Sequence, residues 1–193
     1  LGNANIKQYV SNGGKFLGIC AGAYYSADRI EFAKGDVELE VTGERELKFF
    51  PGLVEGPTYA GFDHRSTNNI EGMRAAKITW LGEQPFKSEQ KFVVFYNGGG
   101  HFVDADQHSN VTVLARYGEE LPSRPNQPAA IVECRVGKGK AILSGPHFEW
   151  DPLSLEGEDQ QTNALRNKLL AANQNRLSLA KHLLARLDVE VKH

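Results

Sequence analysis

The order of apolar and polar residues predicts a helix, a strand, a tight turn and a second helix in the first part of the chain. An apolar face over residues 6–10 indicates a short helix that ends at Gly13 and Gly14. The apolar run over 16–19 does not alternate with polar residues, which is typical of a strand covered on both faces. Small residues over 21–27 favour a helix that packs closely against the sheet.

Further along the chain, the pattern changes to short strand-like segments separated by Gly, Pro and Asn. We predict strands over 37–42, 77–81, 92–96, 111–115, 129–136 and 141–143. The segment 136–140 predicts a hairpin turn, because its glycines accept the positive φ values that such turns require. Leucine and alanine then recur at helical spacing over 165–187, with a break near 173–175, which predicts helices that cover the sheet.

The composition fits a single domain over residues 1–193, since no repeat, low-complexity tract or linker divides the chain. Its 22 basic and 24 acidic residues give a net charge of -2 without a long run of one sign, so we expect no nucleic-acid partner. No apolar stretch approaches the roughly 18 residues that cross a bilayer, and no signal peptide is evident. We therefore expect no membrane association and a cytoplasmic location.

The two cysteines, Cys20 and Cys134, are too few for a disulfide scaffold and lack the CxxC spacing of zinc sites. A metal site built from Cys20, His101 and His147 can be drawn, but the spacing typical of metal ligands is missing. We therefore expect neither a metal nor another cofactor.

The strongest chemical signal in the chain is Gly18-Ile19-Cys20-Ala21-Gly22. It stands between a predicted strand and a predicted helix, the setting of a nucleophile elbow, in which a strained turn exposes the reactive side chain and glycines avoid clashes. The N–H of Ala21, with Gly22 beside it, then donates to a developing oxyanion, and the start of the helix favours the thiolate. The alternative is a buried cysteine that packs as a small hydrophobic residue.

His147 and Glu149, which follow the predicted strand 141–143, supply a base for the thiol and a group to orient that base. Residues two apart in an extended segment project to the same side, so Glu149 can hold the His147 ring while Phe148 points into packing. A lone histidine is more often a surface or capping residue. Only the pairing with Cys20 favours a triad of Cys20, His147 and Glu149.

Three segments together resemble a known family: GGKFLGICAGAYY over 13–25, FYNGGGHFVDAD over 95–106 and GPHFEW over 145–150. They are similar to the glutamine amidotransferase-like domain found at the N-terminus of eukaryotic biotin-protein ligases and in stand-alone bacterial relatives. The resemblance implies an α/β fold of the class I glutamine amidotransferase type, a flavodoxin-like, mainly parallel sheet flanked by helices, here with additional antiparallel strands. It also implies a Cys20, His147 and Glu149 triad that releases ammonia from glutamine through a thioester.

Two features depart from this superfamily. The superfamily has strands and a glycine-containing loop before the elbow, which supply a second oxyanion donor, and we expect the present domain to lack those upstream strands. The chain also lacks the Gly/Arg-rich adenylate-binding loop and lysine of a biotin ligase domain, so we do not expect it to biotinylate alone. The source of a second donor, and glutamine hydrolysis itself, stay open.

The glycine-rich segment 97–101 is a second candidate for ligand binding. Three consecutive glycines let the backbone approach a ligand closely, and the histidine after them can line a cleft. A plain tight turn after the strand 92–96 explains the glycines equally well. Candidate binding residues here are Gly98, Gly99 and His101, with weaker claims for His64 and Arg65.

Two functions follow from these residues. In the first, the chain is an enzyme in which Cys20 attacks a small amide or acyl substrate, His147 moves the proton and the Ala21 N–H stabilises the oxyanion. In the second, it is a regulatory or docking module beside a biotin ligase domain or a biotin carrier protein, accessory to protein biotinylation. A stand-alone cysteine-dependent amidase, hydrolase or peptidase is the alternative to both.

Overall fold

The computed structural model describes residues 2–62, 70–118 and 127–191. Four helices and ten strands lie in these ranges, and most of the strands lie between α2 and α3. The helices are α1 (Gly2–Ser11), α2 (Ala21–Tyr25), α3 (Gln160–Ala171) and α4 (Asn173–Arg186). The strands are β1 (Lys15–Ile19), β2 (Ala27–Phe32), β3 (Val41–Glu44), β4 (Phe50–Gly56), β5 (Met73–Trp80), β6 (Lys91–Asn97), β7 (His101–Phe102), β8 (Val111–Tyr117), β9 (Ala129–Val136) and β10 (Gly139–Ser144).

The ten described strands form one sheet. Its main row runs β3-β2-β4-β7-β9-β8-β5-β6, and β10 joins it by pairing with β9 on one side and β1 on the other. The pairs β1–β10 and β2–β4 are parallel, and the other described pairs are antiparallel. The predicted hairpin is confirmed, since β9 and β10 meet at a turn in which Gly137 has a φ of 58°.

The structure therefore confirms a mixed α/β fold with antiparallel strands but does not confirm a mainly parallel, flavodoxin-like sheet. Parallel neighbours need a crossover of roughly a dozen residues or more, whereas antiparallel neighbours need only a short turn. The β9–β10 connection is a short turn, so these two strands run antiparallel. The parallel pair β1–β10 instead joins distant parts of the chain, in register from Lys15 with Lys140 to Ile19 with Ser144.

Helices cover both faces of the central strands. In β10, Ile142 packs in one apolar cluster while its neighbours Ala141 and Leu143 pack in another on the opposite face. The first cluster lies under α4 and includes Leu183, and the second lies under α1 and includes Val10. Full burial of one such leucine is worth about 1.5–3 kcal/mol. Burial on both faces explains why these strands are apolar without alternation.

Most of the predicted elements are confirmed, and one is largely wrong. The segment 129–136 matches β9, and 92–96, 111–115 and 141–143 lie inside β6, β8 and β10. The break between the C-terminal helices is also confirmed, because α3 ends at Ala171 and α4 begins at Asn173. The strand over 37–42 is wrong for its first part, since residues 37–39 form a turn. In the part of the chain that the structure describes, none of the helices combines the length and apolar character of a membrane span.

Candidate active site

Cys20 occupies a strained turn between β1 and α2. Its backbone has φ 50° and ψ -105°, a combination that few non-glycine residues adopt and that costs roughly 1–3 kcal/mol. The turn is held from both sides, because the Cys20 N–H donates to the Ser144 carbonyl oxygen at 2.8 Å and the Ala23 N–H donates to the Cys20 carbonyl oxygen at 3.0 Å. The surrounding structure thus fixes the cysteine at the end of β1, where its side chain is partly exposed.

The two glycines that flank this turn play different parts. A Cβ at Gly18 would lie 2.7 Å from the Gly22 carbonyl oxygen, so only glycine lets α2 fold back so closely over β1. A Cβ at Gly22 would meet nothing within 4 Å, so no steric contact requires glycine there. Ala21 is exposed, and its N–H lies in the first turn of α2, where backbone donors have no acceptor inside the helix.

His147 and Glu149 project together from the segment that follows β10. His147 Nδ1 lies 2.6 Å from Glu149 Oε1, and Phe148 between them is buried in the core. The alternation expected of an extended segment is therefore observed. The backbone N–H of His147 donates to the Phe95 carbonyl oxygen of β6 at 2.8 Å, and this bond fixes the backbone from which the ring projects.

Arg176 of α4 supports this segment and was not found by sequence reasoning. Its guanidinium donates to the Phe148 carbonyl oxygen at 2.7 Å and, through Nε, to Asn173 Oδ1 at 2.8 Å. The residue is buried, although arginine is almost never buried without partners. No local motif marks this contact, because it joins residues 28 positions apart. The one signal of a buried arginine in the sequence is a basic residue within an apolar helical face.

The charge of His147 is set by its two partners. Burial lowers the pKa of His147, but hydrogen bonding to Cys20 and Glu149, together with the electrostatic interaction with both side chains, raises it more, to about 9. At neutral pH the ring is therefore an imidazolium that lies between a sulfur and a carboxylate. The Cys20 thiol also donates to the Asn97 carbonyl oxygen, with the sulfur and oxygen 3.6 Å apart.

Two cavities meet at Cys20. The polar cleft has a volume of about 680 Å³, and its lining includes His147, Trp150, Glu156 and Asp159 as well as Cys20. The aromatic cleft has a volume of about 330 Å³, and its lining includes Tyr24, Phe32, Val41, Arg45 and Phe62 as well as Cys20. Asn97 borders both cavities. Cys20 thus borders two cavities, each large enough for a small ligand.

The glycine-rich segment is buried, and three tyrosines hold it in place. The hydroxyls of Tyr24, Tyr96 and Tyr117 donate to the carbonyl oxygens of Gly98, Gly99 and Gly100 at 3.1, 2.8 and 2.8 Å respectively. Burial raises the pKa of all three phenols, so these hydroxyls remain protonated donors at neutral pH. A Cβ at Gly99 would lie 2.0 Å from the Gly145 carbonyl oxygen. The glycine at position 99 is therefore explained by close packing against Gly145 rather than by close approach to a ligand.

The other candidate binding residues are placed differently from one another. Gly98 borders the aromatic cleft. Gly99 lines neither of the two described cavities, and neither does His101, which is buried with Nδ1 3.3 Å from Thr58 Oγ1. His64 and Arg65 lie outside the described residues. Within the three described ranges, no group of three or more His, Cys, Asp and Glu side chains is arranged to hold a metal ion.

Comparison with known proteins gives two relatives at substantial identity. A biotin-protein ligase of Schizosaccharomyces pombe is 38% identical over 169 residues, which are 86% of this chain and 25% of that protein. An uncharacterized protein of Chlamydia muridarum is 41% identical over 153 residues, 79% of this chain and 54% of that protein. The chain thus spans about a quarter and about half of the lengths of these relatives.

Among solved structures, a beta-galactosidase of G. stearothermophilus aligns with a TM-score of 0.40 and 16% identity, over 97% of this chain and 20% of that one. The family described as "Biotin-protein ligase, N terminal" matches residues 1–193, the whole length of the sequence. The chain therefore belongs to the biotin-protein ligase N-terminal family.

Proposed function

We propose that this chain is a glutamine amidotransferase-like domain with a cysteine-centred triad, and that it acts as an accessory or regulatory unit in protein biotinylation. One observation carries the chemistry: the strained Cys20 and the Glu149-bonded His147 line the same cleft. Family membership and the fission-yeast relative named as a biotin-protein ligase support the biological context. Because the match covers only 25% of that relative, the proposal leaves the ligase reaction to another domain.

The proposed reaction is attack of the Cys20 sulfur, as a thiolate whose proton is held by His147, on the carbonyl carbon of a small amide. A C–S bond forms, and the Ala21 N–H donates to the oxyanion that develops on the carbonyl oxygen. The His147 imidazolium then gives a proton to the leaving nitrogen as the C–N bond breaks, which leaves a thioester. Water attacks the thioester, His147 takes its proton, and the C–S bond breaks. Glu149 holds Nδ1 throughout, so that Nε2 serves the reacting atoms.

The proposed partner is a biotin ligase domain or a biotin carrier protein, in the cytoplasm. Cys20 and Cys134 are both free thiols, which fits a reducing compartment. A relation to the flavodoxin-like sheet of class I amidotransferases is part of the same proposal. It is supported by the strand–turn–helix around Cys20 and by the parallel pairing of β1 with β10, the strand that leads to His147.

Labelling of biotin carrier proteins in cells tests the accessory role. We expect removal of this chain to change the amount of biotin attached to carriers, measured by streptavidin blotting, and unchanged labelling overturns the role. Cys20→Ala then separates two forms of it: an equal change assigns the role to the reactive site, and no change assigns it to docking. Cys134→Ala is the matched control, because that thiol is buried and lines neither cleft.

A stand-alone cysteine-dependent amidase or hydrolase is the second candidate function. The observation that favours it is the space beside Cys20, about 680 Å³ and 330 Å³ in two cavities, which is enough for a small substrate. It predicts that the purified full-length protein hydrolyses amides or esters without a ligase present and that Cys20→Ala abolishes this turnover. Absence of turnover across amides, esters and peptides would exclude this candidate.

A further inference from the structure

We propose that the aromatic cleft binds the acyl part of the substrate and that the polar cleft binds the departing amine. The substrates are then amides that join an apolar or aromatic acid to a cationic amine. This inference rests on the proposed function of Cys20 as a nucleophile. The observation behind it is that two cavities with different linings meet at Cys20 and Asn97.

The position of His147 decides which cavity takes the leaving group. A carbonyl carbon attacked by sulfur carries an oxygen, a leaving nitrogen and an acyl chain, and the nitrogen needs a proton before it departs. That proton comes from His147. His147 lines the polar cleft and is not among the described residues that line the aromatic cleft. The amine therefore leaves on the polar side, and the acyl chain extends into the aromatic cleft, the other cavity that borders Cys20.

The aromatic cleft suits an apolar acyl chain. Phe32 contacts Tyr24 and Phe62 edge to face, with ring centroids 5.4 and 5.5 Å apart, so three rings form one wall. Arg45 is at the cleft, and its guanidinium already donates to the Glu44 carbonyl oxygen at 2.9 Å. None of the described residues that line this cavity carries a carboxylate. The ammonium group of glutamine would lose water here without gaining an anionic partner.

The polar cleft suits a cationic amine because two carboxylates face it. Asp159 is engaged as the N-cap of α3, since its Oδ1 accepts from the N–H groups of Gln161 and Thr162, each at 2.9 Å. Glu156 is exposed in the same lining and is the acid better placed to pair with a ligand. The His147 imidazolium is already paired with Glu149, so the two further acids leave the cleft with negative charge.

Four synthetic amides test the assignment in the full-length protein. Phenylacetyl and γ-glutamyl acyl groups are each joined to ethylenediamine, a cationic amine, and to glycine, an anionic one. Amine release and the Cys20 thioester are followed by mass spectrometry. We expect phenylacetyl-ethylenediamine to acylate Cys20 at least tenfold faster than either γ-glutamyl amide and faster than phenylacetyl-glycine.

Two pairs of variants connect the preference to the two clefts. Val41→Trp places a bulky ring in the aromatic cleft, and Val37→Trp is its control, because Val37 is fully exposed in a turn outside the cleft. Glu156→Gln removes a charge from the polar cleft, and the exposed Glu158, which lies outside its lining, gives the control Glu158→Gln. We expect Val41→Trp to slow the phenylacetyl amides at least tenfold and Glu156→Gln to reduce the preference for the cationic amine.

The outcomes separate this inference from the proposed function. Acylation of Cys20 that favours γ-glutamyl amides, or that Val41→Trp leaves unchanged, overturns the cleft assignment and leaves the nucleophile in place. Failure of every amide, glutamine included, to acylate Cys20 overturns the proposed chemistry and the inference with it. Equal rates for both amines in the unchanged protein overturn the assignment of the polar cleft.

Discussion

Arg176 and Phe148 are joined by a hydrogen bond from the guanidinium Nη1 to the carbonyl oxygen at 2.7 Å. Phe148 lies between His147 and Glu149, so a buried contact from α4, together with the bond from the His147 backbone N–H to Phe95, holds the segment from which both candidate side chains project. Helix α4, which packs on the sheet, is thereby bonded directly to the segment that carries the candidate active-site residues. We assign Arg176 a positioning role, since it is not among the described residues that line the polar cleft.

Arg176→Met tests this positioning role. The substitution leaves the buried Phe148 carbonyl without its donor, which costs about 1–3 kcal/mol of unfolding free energy in denaturant titration. Because the segment is then less constrained, we also expect the pKa of His147, followed by NMR, to fall toward its ordinary value. Lys181→Met, an exposed change in α4, is the control. A variant that loses stability while His147 titrates unchanged would reduce Arg176 to a purely structural residue.

The titration of His147 gives a second prediction. Its pKa is raised from 6.5 to about 9, so the stabilisation from its charged form is fully present below pH 6.5 and is lost as the pH rises through 9. The size of this loss is at most about 3–4 kcal/mol, since one pKa unit corresponds to roughly 1.4 kcal/mol. Glu149→Gln removes the carboxylate that helps to raise the pKa of His147, and NMR should show that the ring titrates at lower pH. An unchanged pKa in that variant would mean that Glu149 does not set the charge of the ring.

The glycines of the elbow predict opposite results for two similar substitutions. Gly18→Ala places a Cβ 2.7 Å from the Gly22 carbonyl oxygen, so the turn must shift, and we expect a loss of several-fold in Cys20 alkylation together with lower stability. Gly22→Ala places its Cβ in open space inside a helix, where alanine is favoured over glycine by roughly 1 kcal/mol. Thermal unfolding of both variants checks this contrast, and equal destabilisation would contradict it.

The buried phenol of Tyr117 gives a fourth prediction. Tyr117→Phe leaves the Gly100 carbonyl oxygen without its donor, at a cost of about 1–3 kcal/mol. Tyr9→Phe on the exposed face of α1 should cost almost nothing and serves as the control. Chemical denaturation measures both. If the two variants were equally stable, the glycine-rich segment would not depend on the tyrosine that the structure places against it.

The local elements around Cys20 could be predicted from the sequence because they depend on neighbouring residues. Apolar runs, flanking glycines and i, i+2 alternation are short-range signals, and they led to β1, the elbow and the projection of His147 with Glu149. Strands β2 and β4 were not predicted, because short-range signals do not record the pairing of distant segments. The segment Phe50–Gly56 contains a proline and two glycines, a composition typical of turns, and only pairing with β2 and β7 makes it a strand.

The supports of the site could not be predicted because they join distant parts of the chain. The contact of Arg176 with Phe148 spans 28 positions, and that of Tyr24 with Gly98 spans 74. No periodicity records such pairs. The order of strands in the sheet is likewise a property of the whole chain. The family resemblance led us to expect a mainly parallel sheet, but only β1–β10 and β2–β4 are parallel among the described pairs.

The rate at which iodoacetamide alkylates Cys20 at pH 7, in the full-length protein and in its His147→Asn variant, tests the central claim most directly. The account predicts that Cys20 reacts at least tenfold faster than a free thiol and loses this excess when His147 is replaced. Cys134 should stay unmodified, because burial raises the pKa of its thiol to about 12. If Cys20 reacted at the same rate in both proteins, and no faster than a free thiol, the result would contradict the account.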